Sequence, residues 1–536
     1  MQEKVINNKF ESVSKLTPLQ EGMLFHNLYS SKSSYVVQSI LELSGKIEQE
    51  YIVQSFNRLA KRHDVLRGVI VMEGLDTPLF VALKEREPEI NIYEYENQEK
   101  FNAFIEIDKE RGFLLDKDTL FRVTLFKKSS NEYFAVITYS HIIIDGWSYS
   151  IIMNDFVDIY NKLACKIEGE LEKKEIENTP RLKFTDYSNW LSKKDKSEAM
   201  LFWERLLKGY EENISVPCSK CNTGEHGKEV LELKLEQDLC DKLYIYCQNT
   251  RITLNTLMET VWGIVMQAYC NSNDIVFGKV SMGRNKILPG INEMVGSCIN
   301  TIPVRVITKR GQKICDLLKE QHKIAVESLK YDFCSLADIQ SDFKTKLISN
   351  VFIFENLHEN MRIKKYNSLI NIKEVATFQE TSYDISIYVE LDEGIKIINR
   401  FNRELYNSEH MFSLLRRYEY VLWQIVEDEN LVVDKVKYIL SDEMEFMKNE
   451  VNSDYKEVFA YEPIQNMFKK SVEKYRKKDA LVFGDNTMSY GELDLLSTKV
   501  AKCLVQKNVS KGDFIAVIAR RSFEMYIAIW AIVKVG

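Results

Sequence analysis

No stretch of this sequence is both long and apolar enough to span a bilayer. The most apolar run, Met525 to Val535, is too short and follows Arg520-Arg521. No basic block marks a nucleic-acid surface, and the net charge is −7. The polar, charged start from Met1 to Lys9 lacks the apolar core of a secretory signal. Ten cysteines are scattered without a disulfide framework, which fits a reducing cytoplasm. Cys218-Ser219-Lys220-Cys221 with His226 offers three metal ligands. A structural zinc site wants four, and no second CxxC pair follows, so no metal centre is expected. These absences set aside membrane, nucleic-acid and metal-centred functions and predict a cytoplasmic protein.

What is present is ordinary globular composition, 45% hydrophobic and 28% charged over 536 residues. That length exceeds a single core and predicts two to four structural units. After a polar lead-in over residues 1–15, helices and strands mix over 16–180 and again over 181–445. A polar linker is expected at 446–460 and a further segment at 461–536. Helical spacing marks Tyr51 to His63, Ser148 to Leu163 and Leu254 to Tyr269. Strands are expected at Phe121 to Lys127, Glu132 to Tyr139, Asp274 to Val280, Ile299 to Ile307 and Ile348 to Phe354. Ser386 to Leu391 and Ile395 to Phe401 flank Asp392-Glu393-Gly394, a hairpin turn.

The most informative stretch is Ser140-His141-Ile142-Ile143-Ile144-Asp145-Gly146-Trp147-Ser148. It joins a strand to a helix, a common place for chemistry. Histidine titrates near neutrality and can hold or move a proton at working pH. Asp145 cannot be paired by its own strand and needs a cation from elsewhere. Gly146 lets the backbone turn sharply and lets a substrate approach.

Other segments stand around it in a fixed order. They are Leu16-Thr17-Pro18-Leu19-Gln20-Glu21-Gly22-Met23-Leu24-Phe25-His26, Arg62-His63-Asp64-Val65-Leu66-Arg67 and Phe184-Thr185-Asp186-Tyr187 with Trp190. Phe277-Gly278-Lys279-Val280-Ser281-Met282-Gly283-Arg284 and Met294-Val295-Gly296-Ser297-Cys298-Ile299-Asn300-Thr301-Ile302-Pro303 follow. Over roughly residues 10 to 445 this series resembles the condensation domains of nonribosomal peptide synthetases. His141, Asp145 and Gly146 with Trp147-Ser148 resemble that family's HHxxxDG signature. The first histidine of the signature is Ser140 here; the second, matching His141, is the one given the chemical role, so activity is expected to survive.

The resemblance implies an α/β (α+β) fold: two chloramphenicol-acetyltransferase-like lobes forming a V-shaped pseudodimer, with the active site between them. It implies peptide-bond formation between two thioesters held on donor and acceptor peptidyl carrier proteins. Their 4'-phosphopantetheine arms come from those partners, and no cofactor is expected on this chain. His141 is expected to contact the attacking amine, as a base or as an orienting group. Gly146 is expected to offer a backbone N–H to the developing oxyanion, and Asp145 to pair with Arg284. Trp147 is expected to pack, and His26 and His63 to be structural. Asn300 and Asn350 are expected either to line the cleft or to make strand-end hydrogen bonds. The opening motif resembles the subgroup that accepts donors ending in a D-residue. An upstream synthetase chain ending in an epimerisation domain would then be a partner, with residues 1–15 as a docking segment or a disordered start.

Met488-Ser489-Tyr490-Gly491-Glu492-Leu493 resembles the first core motif of adenylation domains, and Ala531-Ile532-Val533-Lys534-Val535-Gly536 the start of the second. The phosphate loop of such domains lies beyond these, so no adenylation activity is expected, and the helix from Phe523 to Val533 is expected to be exposed. Three other readings compete: an epimerisation domain of the same superfamily, a non-catalytic platform that recruits enzymes to a carrier protein, and a coenzyme A acyltransferase.

Overall fold

Runs of β-branched and aromatic residues supply most of the strands. In the computed structural model they build three sheets within residues 1–440, and residues 441–536 form a second compact unit. The structure describes residues 9–29, 35–165, 182–211, 214–219, 227–284, 288–341, 347–355, 369–379, 383–392, 394–451 and 462–536.

The first half of the larger unit contributes β1 (Phe10–Lys15), β2 (Val36–Gly45), β3 (Gly68–Val71), β4 (Leu79–Leu83), β5 (Glu89–Glu94), β6 (Phe121–Ser129) and β7 (Glu132–Ser140). The second half contributes β8 (Lys228–Lys234), β9 (Asp274–Ser281), β10 (Asn300–Ile307), β11 (Asn350–Glu355), β12 (Ile370–Gln379), β13 (Ile385–Asp392) and β14 (Gly394–Asn402). A five-stranded sheet runs β12-β2-β7-β6-β5, and a six-stranded sheet runs β10-β9-β11-β13-β14-β8. A small third sheet is β1-β4-β3. The β6–β7 and β13–β14 hairpins lie where the turn signals predict them.

β7 is buried on both faces from Ala135 to Ser140, which is why it reads as an unbroken apolar run rather than an alternation. Helix α1 is Pro18–Tyr29. Helices α2 (Gln49–Arg62) and α3 (Gly146–Ala164) pack together, with Phe56 stacked on Phe156 at 4.6 Å. In the second lobe α4 (Leu254–Cys270) is buried nearly all round, and Trp262 and Tyr418 of α5 (Ser408–Glu427) meet in its core. A helix this uniformly buried shows weak amphipathic contrast, as expected for a central element.

The lobes are not separate in sequence. β12 falls within the range expected for the second lobe, yet it pairs antiparallel with β2 of the first sheet, from Ile370↔Gly45 to Gln379↔Val37. Without it β2 would expose a row of unpaired backbone groups. Its sequence, INIKEVATFQ, is half polar and mostly exposed, as suits an edge strand.

In the smaller unit, α6 (Ile464–Tyr475), α7 (Tyr490–Gln506) and α8 (Phe523–Val535) surround a hairpin of β15 (Asp479–Phe483) and β16 (Asn486–Ser489). The Ser489…Glu492 pair is a capping box that starts α7. The expected exposure of α8 holds on one side only. Tyr526 and Ile529 are exposed, whereas Trp530 stacks on Phe468 at 3.9 Å and Ala531 is buried. Among the described residues no helix is long and apolar enough to cross a membrane.

Candidate active site

The connector from β7 to α3 is held from below. Ile142, Ile143 and Ile144 are buried in the first lobe's core. The Ile142 carbonyl accepts a 2.8 Å hydrogen bond from the Gln20 amide, and Gln20 Oε1 accepts from Thr17 N–H at 2.9 Å. The opening motif therefore braces the connector, a role that its sequence did not disclose. The His141 N–H donates to the Tyr35 carbonyl at 2.8 Å, which extends the β2–β7 ladder by one bond. Ser140 ends that strand, paired with Val36 and buried.

Asp145 caps α3 by accepting from Ser148 N–H at 2.8 Å. Arg284 reaches it from the other lobe, with Nη2 3.2 Å from both carboxylate oxygens. The same guanidinium donates to the carbonyls of Ile291, Met294 and Gly296 and to Ser148 Oγ. Cys298 N–H donates to Asp145 Oδ2 at 2.9 Å. Burial alone would raise the Asp145 pKa; Arg284 and the bonds from Ser148 and Cys298 outweigh it and hold the carboxyl below its usual range. Burial pulls Arg284 down, but Asp145 more than offsets this.

Gly283 makes this reach possible. Its φ is +62°, and a Cβ there would lie 1.9 Å from the Cys298 carbonyl oxygen. Only glycine fits such a left-handed, tightly packed position.

His141 is 5% exposed, and its Nδ1 has no hydrogen-bond partner. Burial lowers its pKa, opposed only in part by the carbonyls of His141 and Ile144 and by Asp145, so the ring is neutral at pH 7. It borders a cavity of about 160 Å³ between the two lobes. Gly146 and Trp147 line the same cavity, with Val280, Met282, Thr301, Val351 and Ile353 on the opposite wall. Gly146 is the first residue of α3, where backbone N–H groups have no intrahelical acceptor. A neutral imidazole and a free helix-end N–H thus share one sheltered space.

Trp147 Nε1 donates to the Asn292 carbonyl at 3.0 Å, and its ring lies 6.0 Å from the Arg284 guanidinium. Asn300 lines a smaller neighbouring pocket rather than the His141 cavity. Its amide donates to the carbonyls of Asp332 and Cys334, the strand-end reading. Asn350 does not line the cleft. It points to the opposite face of β11, where its Oδ1 accepts from Trp262 Nε1 at 3.0 Å. The period of two along a strand places Asn350 with Phe352 on the core side, and Val351, Ile353 and Glu355 on the cavity side. His63 sits beside Asp155 at 2.8 Å, with Arg62 at 3.3 Å from the same carboxylate. The His26 side chain, Cys221 and His226 lie outside the described residues.

Sequence reasoning missed Glu355, Tyr383 and Tyr388, which line the cavity. The one available signal was the acid that follows the apolar run of β11.

The sequence model of the Condensation domain family matches residues 11–448. The chain belongs to the condensation-domain family. The AMP-binding enzyme model matches residues 468–536 of this condensation-domain chain. Bacitracin synthase 3 of Bacillus licheniformis is 32% identical over 99% of this chain and 8% of its own length. Tyrocidine synthase 2 of Brevibacillus parabrevis is 31% identical over 97% of this chain and 15% of its own length. The chain therefore spans only a small part, 8% to 15%, of the length of these relatives.

Among solved structures, a four-domain nonribosomal peptide synthetase bound to AMP and glycine superposes with a TM-score of 0.69 at 15% identity, covering 94% of this chain and 39% of that one. The first condensation domain of the calcium-dependent antibiotic synthetase, in complex with a substrate analogue, gives 0.63 at 13%, covering 80% of this chain and 100% of that one. The X-domain of teicoplanin biosynthesis, in complex with OxyB, gives 0.69 at 16%, covering 81% and 97%. These matches confirm the two-lobed condensation fold.

Proposed function

We propose that this chain forms an amide bond within a nonribosomal peptide synthetase of the cytoplasm that makes a peptide antibiotic. The α-amine of an acceptor aminoacyl thioester attacks the carbonyl of a donor thioester. The C–N bond forms, the C–S bond breaks, and the donor's carrier leaves as a thiol. Both thioesters are carried on the 4'-phosphopantetheine arms of peptidyl carrier proteins, which are substrates of the site rather than groups resident in it.

The observation that carries this reading is the neutral His141 beside Gly146 at the start of α3, both lining a cavity between the lobes. His141 accepts a hydrogen bond from the attacking amine and takes its proton as the C–N bond forms. The Gly146 N–H stabilises charge on the carbonyl oxygen. The Asp145–Arg284 pair positions the connector and does not touch the reacting atoms. Two tethered substrates meeting in one cavity gain much of their rate from proximity.

The donor is a peptide ending in a D-residue, supplied by an upstream synthetase chain that ends in an epimerisation domain. Of the expected lead-in over residues 1–15, Phe10–Lys15 is strand β1, paired with β4, so docking falls to the residues before it. The opening motif Leu16–His26 supports this. Competition between D- and L-terminated donor thioesters tests it, and equal rates would sink it. The AMP-binding segment that follows at 468–536 supports a condensation domain over an epimerisation domain. The reaction itself is tested by incubating the chain with loaded donor and acceptor carriers. Amide product from carriers, and none from free coenzyme A thioesters, supports the proposal.

One observation favours a second reading, a carrier-binding recruitment platform: Ser140 replaces the first signature histidine. On that reading both carriers bind and no amide forms.

A further inference from the structure

We propose that Glu355 and Tyr388 form a subsite for a protonated aliphatic amine on the side chain of the residue brought to His141. This deepens the condensation reading and rests on it. The two residues lie on adjacent paired strands, β11 and β13, and line the same cavity as His141. Val280, Met282, Val351 and Ile353 supply apolar surface to the same wall, with the polar Thr301, Gln379 and Tyr383 also lining the cavity.

Both polar groups are unspent. Tyr388 is 3% exposed and its hydroxyl has no hydrogen-bond partner. Glu355 makes no hydrogen bond or ion pair among the described residues. Glu355 is partly buried, and a carboxyl there without a partner is costly to ionise until a cation meets it. The charges around it do not neutralise it. Glu390 lies directly opposite on β13, and Glu374 acts on it from β12. Among the described residues, Arg400 on β14 is the one cation that acts on it; its guanidinium lies over the Tyr388 ring at 4.6 Å and donates to the Gln379 carbonyl. Lys396, also on β14, is committed to Glu390 at 3.0 Å. From the first lobe, Tyr139 on β7 lies within electrostatic reach of Glu355, and His141 stands in the cavity. The end is therefore net acidic, and an ammonium offers it both charge and donors.

Burial and Glu390 push the Glu355 pKa up to about 7. An ammonium ligand should then expel that proton, and its affinity should rise about tenfold from pH 6 to pH 8.

The test uses the full chain and two non-reactive probes, the aminopantetheine amides of Nα-acetyl-lysine and Nα-acetyl-norleucine, read by calorimetry. The lysyl probe should bind at least about tenfold more tightly. That advantage should vanish, with its pH dependence, in Glu355→Gln and partly return in Glu355→Asp. Tyr388→Phe should reduce it by about threefold, and it serves alone if Glu355→Gln melts early. Equal affinity of the two probes for the parent, no binding of either, or an advantage unchanged in Glu355→Gln would overturn the proposal. Placing lysine on the donor carrier or on the acceptor carrier in single turnovers shows which substrate brings the amine. Lysyl preference in binding without any amide product would reject the reaction and keep the subsite. Amide product without that preference would do the reverse.

Discussion

Arg284 Nη2 lies 3.2 Å from both carboxylate oxygens of Asp145, across 139 residues of chain and from the opposite lobe. Both side chains are buried, so neither charge can be left alone without cost. Removing one partner of such a pair costs about 3–5 kcal/mol. Arg284→Met should therefore be strongly destabilising by chemical denaturation. Arg284→Met with Asp145→Asn should cost clearly less than the sum of the single changes. Additive costs would show that the pair is not coupled.

The same pair sets a pH dependence. The folded Asp145 carboxyl titrates below its ordinary range, so its contribution is present above the unfolded value. It is lost as pH falls through the folded value. Asp145→Asn should flatten the stability curve on the acid side; an unchanged slope below pH 4 would contradict the pairing.

His141 is buried and its pKa is lowered. As pH falls below about 6.5, the unfolded chain takes up this proton before the folded one does, so the native state is disfavoured there. Chemical-shift titration of labelled histidines should show at least two of the seven, His141 and His410, with midpoints below 6.5, and one of these should be missing in His141→Ala. A midpoint at or above 7 would mean that the ring is charged in the cavity.

Gly283 and Gly74 both have positive φ, but only Gly283 faces a neighbour. Gly283→Ala should cost at least about 2–3 kcal/mol, because the Cys298 carbonyl must move as well. Gly74→Ala has open space and should cost about 1 kcal/mol. Melting curves of the two variants decide the point, and similar shifts would show that the Arg284 strand end can relax freely.

Folding should hold the Glu355 proton that the unfolded chain releases near 4.5. Stability then falls as pH rises from about 4.5 to 7, and Glu355→Gln should remove that fall. The variant should gain on the parent by roughly 2 kcal/mol between pH 5 and pH 8 after allowance for partial exposure. A constant difference across that range would contradict the raised value.

Much of the site was legible because its spacing is local. A histidine at a strand end, an acid four residues on and a glycine beside it fix a strand-to-helix corner, and the corner is there. The link from Asp145 to Arg284 was not local and came from the ordered motifs. Of its two expected readings Asn350 takes the strand-end hydrogen bond; the choice was not readable because β11 is apolar on both faces, so nothing in NVFIFE shows which parity meets the cavity. Glu355 stood in the same strand and was missed for the same reason. β12 was unreadable because an exposed edge strand carries little hydrophobic pattern.

On the proposed mechanism His141 does the chemistry although Ser140 stands where a histidine is usual. Single-turnover condensation with loaded donor and acceptor carriers, read by intact mass, compares the parent with His141→Ala. Product from the parent and a loss of about 10²-fold or more in the variant is expected. Equal rates, or tight carrier binding with no product from either chain, would contradict it and favour a recruitment platform.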